Sequence, residues 1–307
     1  MYNEERKMRF LKENRNSLDY GVSIFKRMEA YEKEADKDLC ELTGDILQTA
    51  VNSTFGTRSV SVKGAILFLR SYVRWCKECE FPTCDDIFSL EADMEEKFKQ
   101  RMIASPMHLE LTLNKAFEPV GSETVDCVYR CYLWMAFAGV ERAETVNITV
   151  DEIDFGSMTI EHKSKSYEIY REAIPAFKMA CEATQFKYVH PNYDNTIYRK
   201  RYEGNYLFRG IRSSQIAIDT IKSVVNAKFI KAGIKTSYEK IRMSGVFYKI
   251  YEMERLGMPP NLDDIAMEQV LASRGEHKDD LSSVRNTAKS AARSLKADYE
   301  CWKAVFT

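Results

Sequence analysis

A chain of 307 residues, 30% charged and 45% hydrophobic, has the composition of a soluble globular protein, and its length suggests two domains. It has no apolar run long enough to span a bilayer, and its start, MYNEERKMRF, is too polar for a signal peptide. Eight cysteines lie scattered without the spacing of a disulfide scaffold, which points to a reducing cytoplasm, and a net charge of −1 does not by itself announce a nucleic-acid binder.

Residues 1–104 read as helices throughout. Residues 2–12 form a short amphipathic opener. Residues 18–34 carry Tyr20, Val22, Phe25 and Met28 on one side, and residues 36–51 carry Leu39, Leu42, Ile46 and Leu47. Residues 60–79 are apolar nearly all round, with Leu67, Phe68, Leu69, Tyr72, Val73 and Trp75, and so belong at the centre of a small bundle. Phe81-Pro82 stops that helix. Cys76, Cys79 and Cys84 lie close together, but no second pair follows at zinc-ribbon spacing, so no metal is expected. After a helix at 90–102, Ala104–His108 reads as a linker.

Residues 109–116 and 123–138 are the next helices, and the second is apolar on almost every face, which makes it a core helix. From Gly139 the pattern changes to a turn, a short helix and then a three-stranded antiparallel unit. Residues 145–155 carry β-branched side chains around two acidic ones. Residues 158–162 and 167–170 alternate apolar and polar, with Lys163-Ser164-Lys165-Ser166 as a polar hairpin tip between them. A helix over 172–183 follows, then a polar and aromatic connection over 186–206 that holds Arg199-Lys200-Arg201. Helices are predicted over 213–231, 237–256, 262–271 and 281–306, with a polar, mobile stretch at 275–280. On the last helix Arg285, Lys289, Arg293 and Lys296 recur at spacings of three and four.

Charge is unevenly spread. Within residues 199–249 there are 12 basic side chains against 3 acidic ones, the imbalance expected of a phosphate-binding face, although a solvated surface balanced by acidic neighbours would also produce it.

The stretch from Gly139 to Phe177 resembles the start of the catalytic domain of tyrosine recombinases, the phage integrase family. There a helix ends in Thr-Gly-Leu-Arg-x-x-Glu, runs into Leu-x-x-x-Asp-Ile-Asp and meets a hairpin carrying a lysine. Here the corresponding residues are Ala138-Gly139-Val140-Glu141-Arg142-Ala143-Glu144, then Asp151-Glu152-Ile153-Asp154-Phe155, then Lys163. The N-terminal helices resemble the core-binding domain of the same family, in helix order and in Leu69-x-x-Tyr72-x-x-Trp75-Cys76. The resemblance implies a mainly α fold with a small three-stranded antiparallel sheet. It also implies a helical core-binding (SAM-like) domain at 1–104 and a catalytic-type domain at 109–307.

In that family a tyrosine hydroxyl attacks a DNA phosphodiester. Two arginines hold the phosphate oxygens, since only guanidinium offers planar, two-pronged contacts with a permanent charge. A hairpin lysine protonates the departing oxygen. Carried onto this chain, the lysine is Lys163, with Lys165 as a close substitute. The slot of the first arginine holds Glu141, with Arg142 one residue late, a turn of about 100° on a helix. The second box, laid on residues 241–247, puts Ile241 at the histidine and Ser244 at the arginine, with Arg242 out of register. A later histidine box has only His277 as an echo, and the nucleophile falls on Tyr299 or is absent, Tyr299 then packing beside Trp302.

With both guanidinium slots empty, the resemblance implies a protein that grips double-stranded DNA without cutting it, as a phage or mobile-element regulator or repressor. The alternative is an active recombinase working through Arg142, Lys163, Arg242 and Tyr299. The expected DNA contacts are Lys163, Lys165, Arg199, Lys200, Arg201, Arg209, Arg212, Lys222, Lys228, Lys231, Lys235, Lys240, Arg242 and Lys249. Ser61, Lys63, Arg70, Gln215 and Lys222 are polar enough to reach base edges. No cofactor, metal or membrane is expected. Nucleoid association in a bacterial cytoplasm is expected; pairing across inverted half-sites would fit a homo-oligomer, although the sequence does not give the oligomeric state.

Overall fold

The computed structural model describes the chain apart from residues 15–17, 56–58, 92–93, 190–195 and 275–280. The expected mobile stretch at 275–280 and its His277 lie outside the described residues, as does the Arg285 side chain. In chain order the helices are α1 (Glu4–Glu13), α2 (Leu18–Ala35), α3 (Gly44–Thr54), α4 (Ser59–Glu78), α5 (Met94–Arg101), α6 (Pro106–Ala116), α7 (Asp126–Phe137) and α8 (Arg142–Thr145). Then come β1 (Ile153–Asp154), β2 (Thr159–His162), β3 (Lys165–Glu168), α9 (Ile174–Glu182), β4 (Gln185–Val189) and β5 (Thr196–Lys200). The chain closes with α10 (Ile218–Lys231), α11 (Tyr238–Arg255), α12 (Leu262–Arg274) and α13 (Leu281–Phe306). The fold is mainly helical with a three-stranded antiparallel sheet in the order β1-β2-β3, as expected, and a second sheet of two strands, β4-β5. No helix among the described residues is long and apolar enough to cross a membrane.

The chain divides into two compact units, one of residues 1–98 with 261–304 and the other of residues 99–260 with 305–307. The first is centred on α4, as its apolar run requires. Phe68 and Tyr72 pack against Phe10 of α1 and Phe25 of α2, and Trp75 against Phe10, with ring centroids 4.9–5.7 Å apart, several of them edge to face. Each such buried ring contributes about 1.5–3 kcal/mol. Lys7 and Glu32 are buried together at 2.5 Å, and Glu32 also accepts the Leu39 amide at 2.8 Å. The Lys97 ammonium closes the end of α3 by donating to the carbonyls of Val51, Asn52 and Phe55 at 2.6–2.8 Å. On α13, Tyr299 and Trp302 are buried and stacked, with centroids 6.3 Å apart.

The second unit is built around α7, which is buried along its whole length. It packs against α9 and, most closely, α11. Gly245 makes that second approach possible: a Cβ there would lie 1.7 Å from the Phe137 carbonyl oxygen. The sequence pattern differs from the structure in two places. Residues 145–155 supply only two residues of strand: α8, the short helix expected there, ends at Thr145, and Val150–Glu152 forms a 3-10 turn in which the Glu152 carboxylate accepts the Thr149 amide at 2.7 Å. The polar connection at 186–206 is largely a hairpin, with Phe186 opposite Arg199 and Tyr188 opposite Ile197. Phe186 faces the core, and the Arg199 guanidinium lies 4.4 Å from the Tyr188 ring, so one face of this ribbon is apolar enough to hold it.

Candidate nucleic-acid interface

The helix end at 138–142 is set by glycine. Gly139 has φ +98°, and the amides of Gly139 and Val140 turn back to the carbonyls of Ala136 and Met135. The turn leaves Glu141 as the extended residue before α8 and Arg142 as its exposed first residue. The hairpin β2-β3 follows, with Lys163 and Ser164 both at positive φ in its two-residue turn. The expected four-residue tip is therefore shorter by two, since Lys165 and Ser166 already pair with His162 and Glu161.

Behind that tip, His162 is buried with Nδ1 2.8 Å from Glu152 and Nε2 3.2 Å from Glu144. Lys163 Nζ reaches the same Glu144 oxygen at 2.6 Å. The hydrogen bond from Lys163, with help from His162, holds the Glu144 carboxyl below the usual range. Burial pushes Glu152 up, but the Thr149 amide and His162 outweigh it and the net shift is down. The hairpin lysine is thus present at the tip and spends its charge on Glu144.

A cavity of about 130 Å³ opens at the N-terminus of α11. Tyr132 from α7, Arg142 from α8, Lys222, Val225 and Asn226 from α10, and Ser237, Tyr238 and Glu239 line it. Arg242, one turn along α11, donates from Nε to Glu239 at 3.1 Å. Arg142 therefore lines the cavity directly, and Arg242 meets it only through Glu239. The register expected for the second box does not hold as a surface. Ile241 is in the core, and Ser244 is buried, donating to the Lys240 carbonyl at 2.7 Å while accepting the Ile103 amide at 2.9 Å. A guanidinium at 244 would point into the core, so an empty slot there says nothing about a phosphate clamp. Tyr299 belongs to the other compact unit and is buried beside Trp302.

The basic residues of 199–249 separate by what they touch. Arg201 is buried and its guanidinium is spent on backbone, donating to the carbonyls of Ala180, Ala183, Leu207 and Arg209. Burial, helped by the charge on Arg209, lowers its pKa to about 10. Arg209 donates to the carbonyls of Tyr206 and Cys181, each at 3.0 Å. Lys228 pairs with Asp126 at 2.8 Å, Lys235 donates to Gln100 at 2.8 Å, and Lys200 pairs with Glu203 at 2.6 Å. Arg199 is stacked on Tyr188, and Lys240 is half-buried. Lys165 is exposed at the start of β3. Among the described residues, the exposed Arg212, Lys222, Lys231 and Lys249 make no ion pair. Lys222 and Lys231 are nine positions apart on α10, about half a turn in angle, so this helix does not present both on one face.

Sequence reasoning missed Tyr132, Ser237 and Glu239 around the cavity, and the Glu144–His162–Glu152 cluster. Ser237 was legible as a helix N-cap, and its side chain does accept the Lys240 amide. Nothing in the pattern of α7 marked Tyr132, since every face of that helix is apolar.

Residues 1–78 match the family model for the N-terminal core-binding domain of MrpR, about a quarter of the chain. The expected core-binding domain is met there. That match and the helical architecture with its three-stranded antiparallel sheet agree with a tyrosine recombinase or integrase-like fold. Two solved structures are loosely similar. The crystal structure of XerA recombinase is 16% identical over 98% of each chain, with a TM-score of 0.42. An integrase from mycobacterium phage Brujita is 10% identical over 95% of this chain and 91% of its own, with a TM-score of 0.32. Likenesses this loose carry no weight beyond the description itself. No curated protein matches the chain.

Proposed function

We propose that this chain is a DNA-binding regulator built on an integrase-like plan, gripping duplex DNA without cleaving it and acting on transcription in a phage or other mobile element. The observation that carries the non-cleaving half is the state of the expected nucleophile: Tyr299 is fully buried and stacked on Trp302. A phenol that attacks phosphorus must lie in line with it at the surface of a cleft. The position of the first arginine supports the same reading, because Glu141 brings a carboxylate to a place where the family has a cation. The MrpR core-binding match supports the binding half, together with the exposed cations Arg212, Lys222, Lys231 and Lys249. The division into a core-binding domain at 1–104 and a catalytic-type domain at 109–307, nucleoid association and pairing on inverted half-sites belong to this proposal.

One observation favours a second reading, an active recombinase with displaced residues. Arg142 lines the cavity at α11, and Glu239 in the same wall holds Arg242. The two readings separate on a nicked duplex that traps a covalent intermediate. The regulator gives a salt-sensitive gel shift and no denaturant-resistant adduct. An adduct that disappears in Tyr299→Phe overturns the regulator in favour of the recombinase. No shift of any duplex at low salt overturns both.

A further inference from the structure

α13 carries a run of charge that stands apart from the basic stretch at 199–249. From Leu281 to Ala297 the sequence holds four basic side chains and no acidic one, in a chain whose net charge is −1. The helix is oriented by its inner face, where Ala292, Leu295, Tyr299 and Trp302 are buried. At about 100° per residue, Lys289, Arg293 and Lys296 then fall within about 60° of arc to one side of that face and span about 10 Å along the axis. All three are exposed, and among the described residues none of them makes an ion pair. Other exposed cations of the same compact unit behave differently: Arg9, Lys33 and Lys77 pair with Glu13, Glu29 and Asp85 at 2.7–2.8 Å. On the side away from the core the stripe is flanked by Ser290 and Ala297, so no bulky side chain keeps a partner surface off the cations. Glu300, one turn past Lys296 and on the same arc, ends the stripe.

We propose that the outer face of α13 is a docking surface for the sugar–phosphate backbone of duplex DNA, with Lys289, Arg293 and Lys296 each neutralising a phosphate. This rests on the DNA-binding reading and adds to it a surface outside residues 199–249. Like charges held in a row repel one another, and a polyanion laid along the row relieves that repulsion. A duplex carries one negative charge per about 1.7 Å of its axis, so a straight row about 10 Å long meets several phosphates at once. The Ser290 hydroxyl can donate to the same backbone. A bilayer does not fit this helix, because the apolar side that would enter it is already buried in the fold. Contacts to phosphate position a duplex without reading its bases. The register that buries Tyr299 is the one that turns these cations outward, so a grip through this face leaves Tyr299 where it is. The helix that in the recombinase family carries the nucleophile would here serve attachment.

The test is fluorescence anisotropy of mixed-sequence duplexes titrated with the full chain over a salt series. A stripe variant combines Lys289→Gln, Arg293→Gln and Lys296→Gln. Its urea midpoint should match the parent's, since all three side chains are exposed. The slope of log affinity against log salt is expected to fall in magnitude by about 2.7, and affinity at physiological salt by about tenfold or more. Both losses should be the same for duplexes of different sequence. A control variant combines Arg9→Gln, Lys33→Gln and Lys77→Gln. It removes the same charge from the same unit and should change the slope by less than about 1. A parent that binds no duplex at low salt removes the DNA-binding reading itself, and this surface with it. A parent that binds while the stripe variant keeps its slope overturns this inference alone and leaves the stripe to an acidic protein or to solvent. A control variant that loses as much as the stripe variant also overturns it, because net charge and not position would then set the effect. So does a loss confined to one sequence, which backbone contacts do not produce.

Discussion

Arg201 and Lys231 show how little a residue type says about what a side chain meets. Both fall in the same basic stretch, but Arg201 is buried with its guanidinium on four backbone carbonyls and Lys231 is exposed on the last turn of α10. Arg201→Leu would leave buried carbonyls unmatched, and a stability loss of about 3 kcal/mol or more is expected in urea unfolding. Lys231→Ala should leave the urea midpoint unchanged; if the chain binds DNA through this residue, the slope of log affinity against log salt falls by about 1. A stable Arg201→Leu protein with weakened DNA binding would reverse that assignment. The carboxylates under the hairpin tip make an acid-stability prediction of definite sign. Glu144, held down by Lys163, and Glu152, held down by the Thr149 amide and His162 against its burial, both have folded values below the ordinary one. The unfolded chain therefore takes up protons first as pH falls. The stabilisation is complete above the unfolded carboxylate value of about 4.3 and is lost as pH drops through the folded values. Urea midpoints should fall below pH 4.5 in the parent and fall less steeply in Glu144→Gln; equal acid slopes would show that the cluster contributes nothing.

The contact between α7 and α11 is the clearest case of an element placed by one residue. Since a Cβ at 245 would lie 1.7 Å from the Phe137 carbonyl oxygen, backbone would have to move, and Gly245→Ala should cost about 3 kcal/mol or more in spite of alanine's better helix propensity. A neutral or stabilised Gly245→Ala protein would mean that the two helices separate freely. Most helices were legible because their apolar periodicity is strong: α2, α4 and α7 lie close to where Phe25, Tyr72 and Trp134 put them. The hairpin tip was legible through the alternation on either side of Lys163. The β4-β5 ribbon was not, because Asn, Tyr and Arg are also loop residues and only contact with the core shows that Phe186 turns inward. The second box failed for a related reason. A motif laid on a sequence gives spacing but no direction, and the direction of α11 is set by Gly245 and Ser244 facing the core. Once those are fixed, Ser237, Tyr238 and Glu239 line the cavity, and Arg242 meets it only through Glu239. The cavity depends on side chains from α7, α8, α10 and α11, which no local pattern brings together.

At the scale of the whole chain, the unexpected feature is which parts belong together. Residues 261–304 group with 1–98 and not with the segment that precedes them, although the linker at 104–108 suggested a single boundary. The core around α4 is itself drawn from residues 10–90, and the grouping of 261–304 with it makes its reliance on the C-terminal helices a question for experiment. α13 brings Tyr299 and Trp302 as buried rings, and burial of large aromatic side chains contributes about 1.5–3 kcal/mol each. A chain ending at Pro260 should therefore keep hydrogen-exchange protection on α7 and α11 while losing it on α2 and α4, since opening is cooperative within a unit and local to it. Mass-spectrometric exchange at the level of peptides reads this directly. Unchanged protection over residues 1–98 would show that the N-terminal helices stand alone, so that α12 and α13 are a separate appendage. The same measurement on the full chain bears on cleavage. An attacking Tyr299 requires α13 to unseat, and adding duplex should then raise exchange around residue 299. A regulator that only grips its DNA should leave α13 as protected as before.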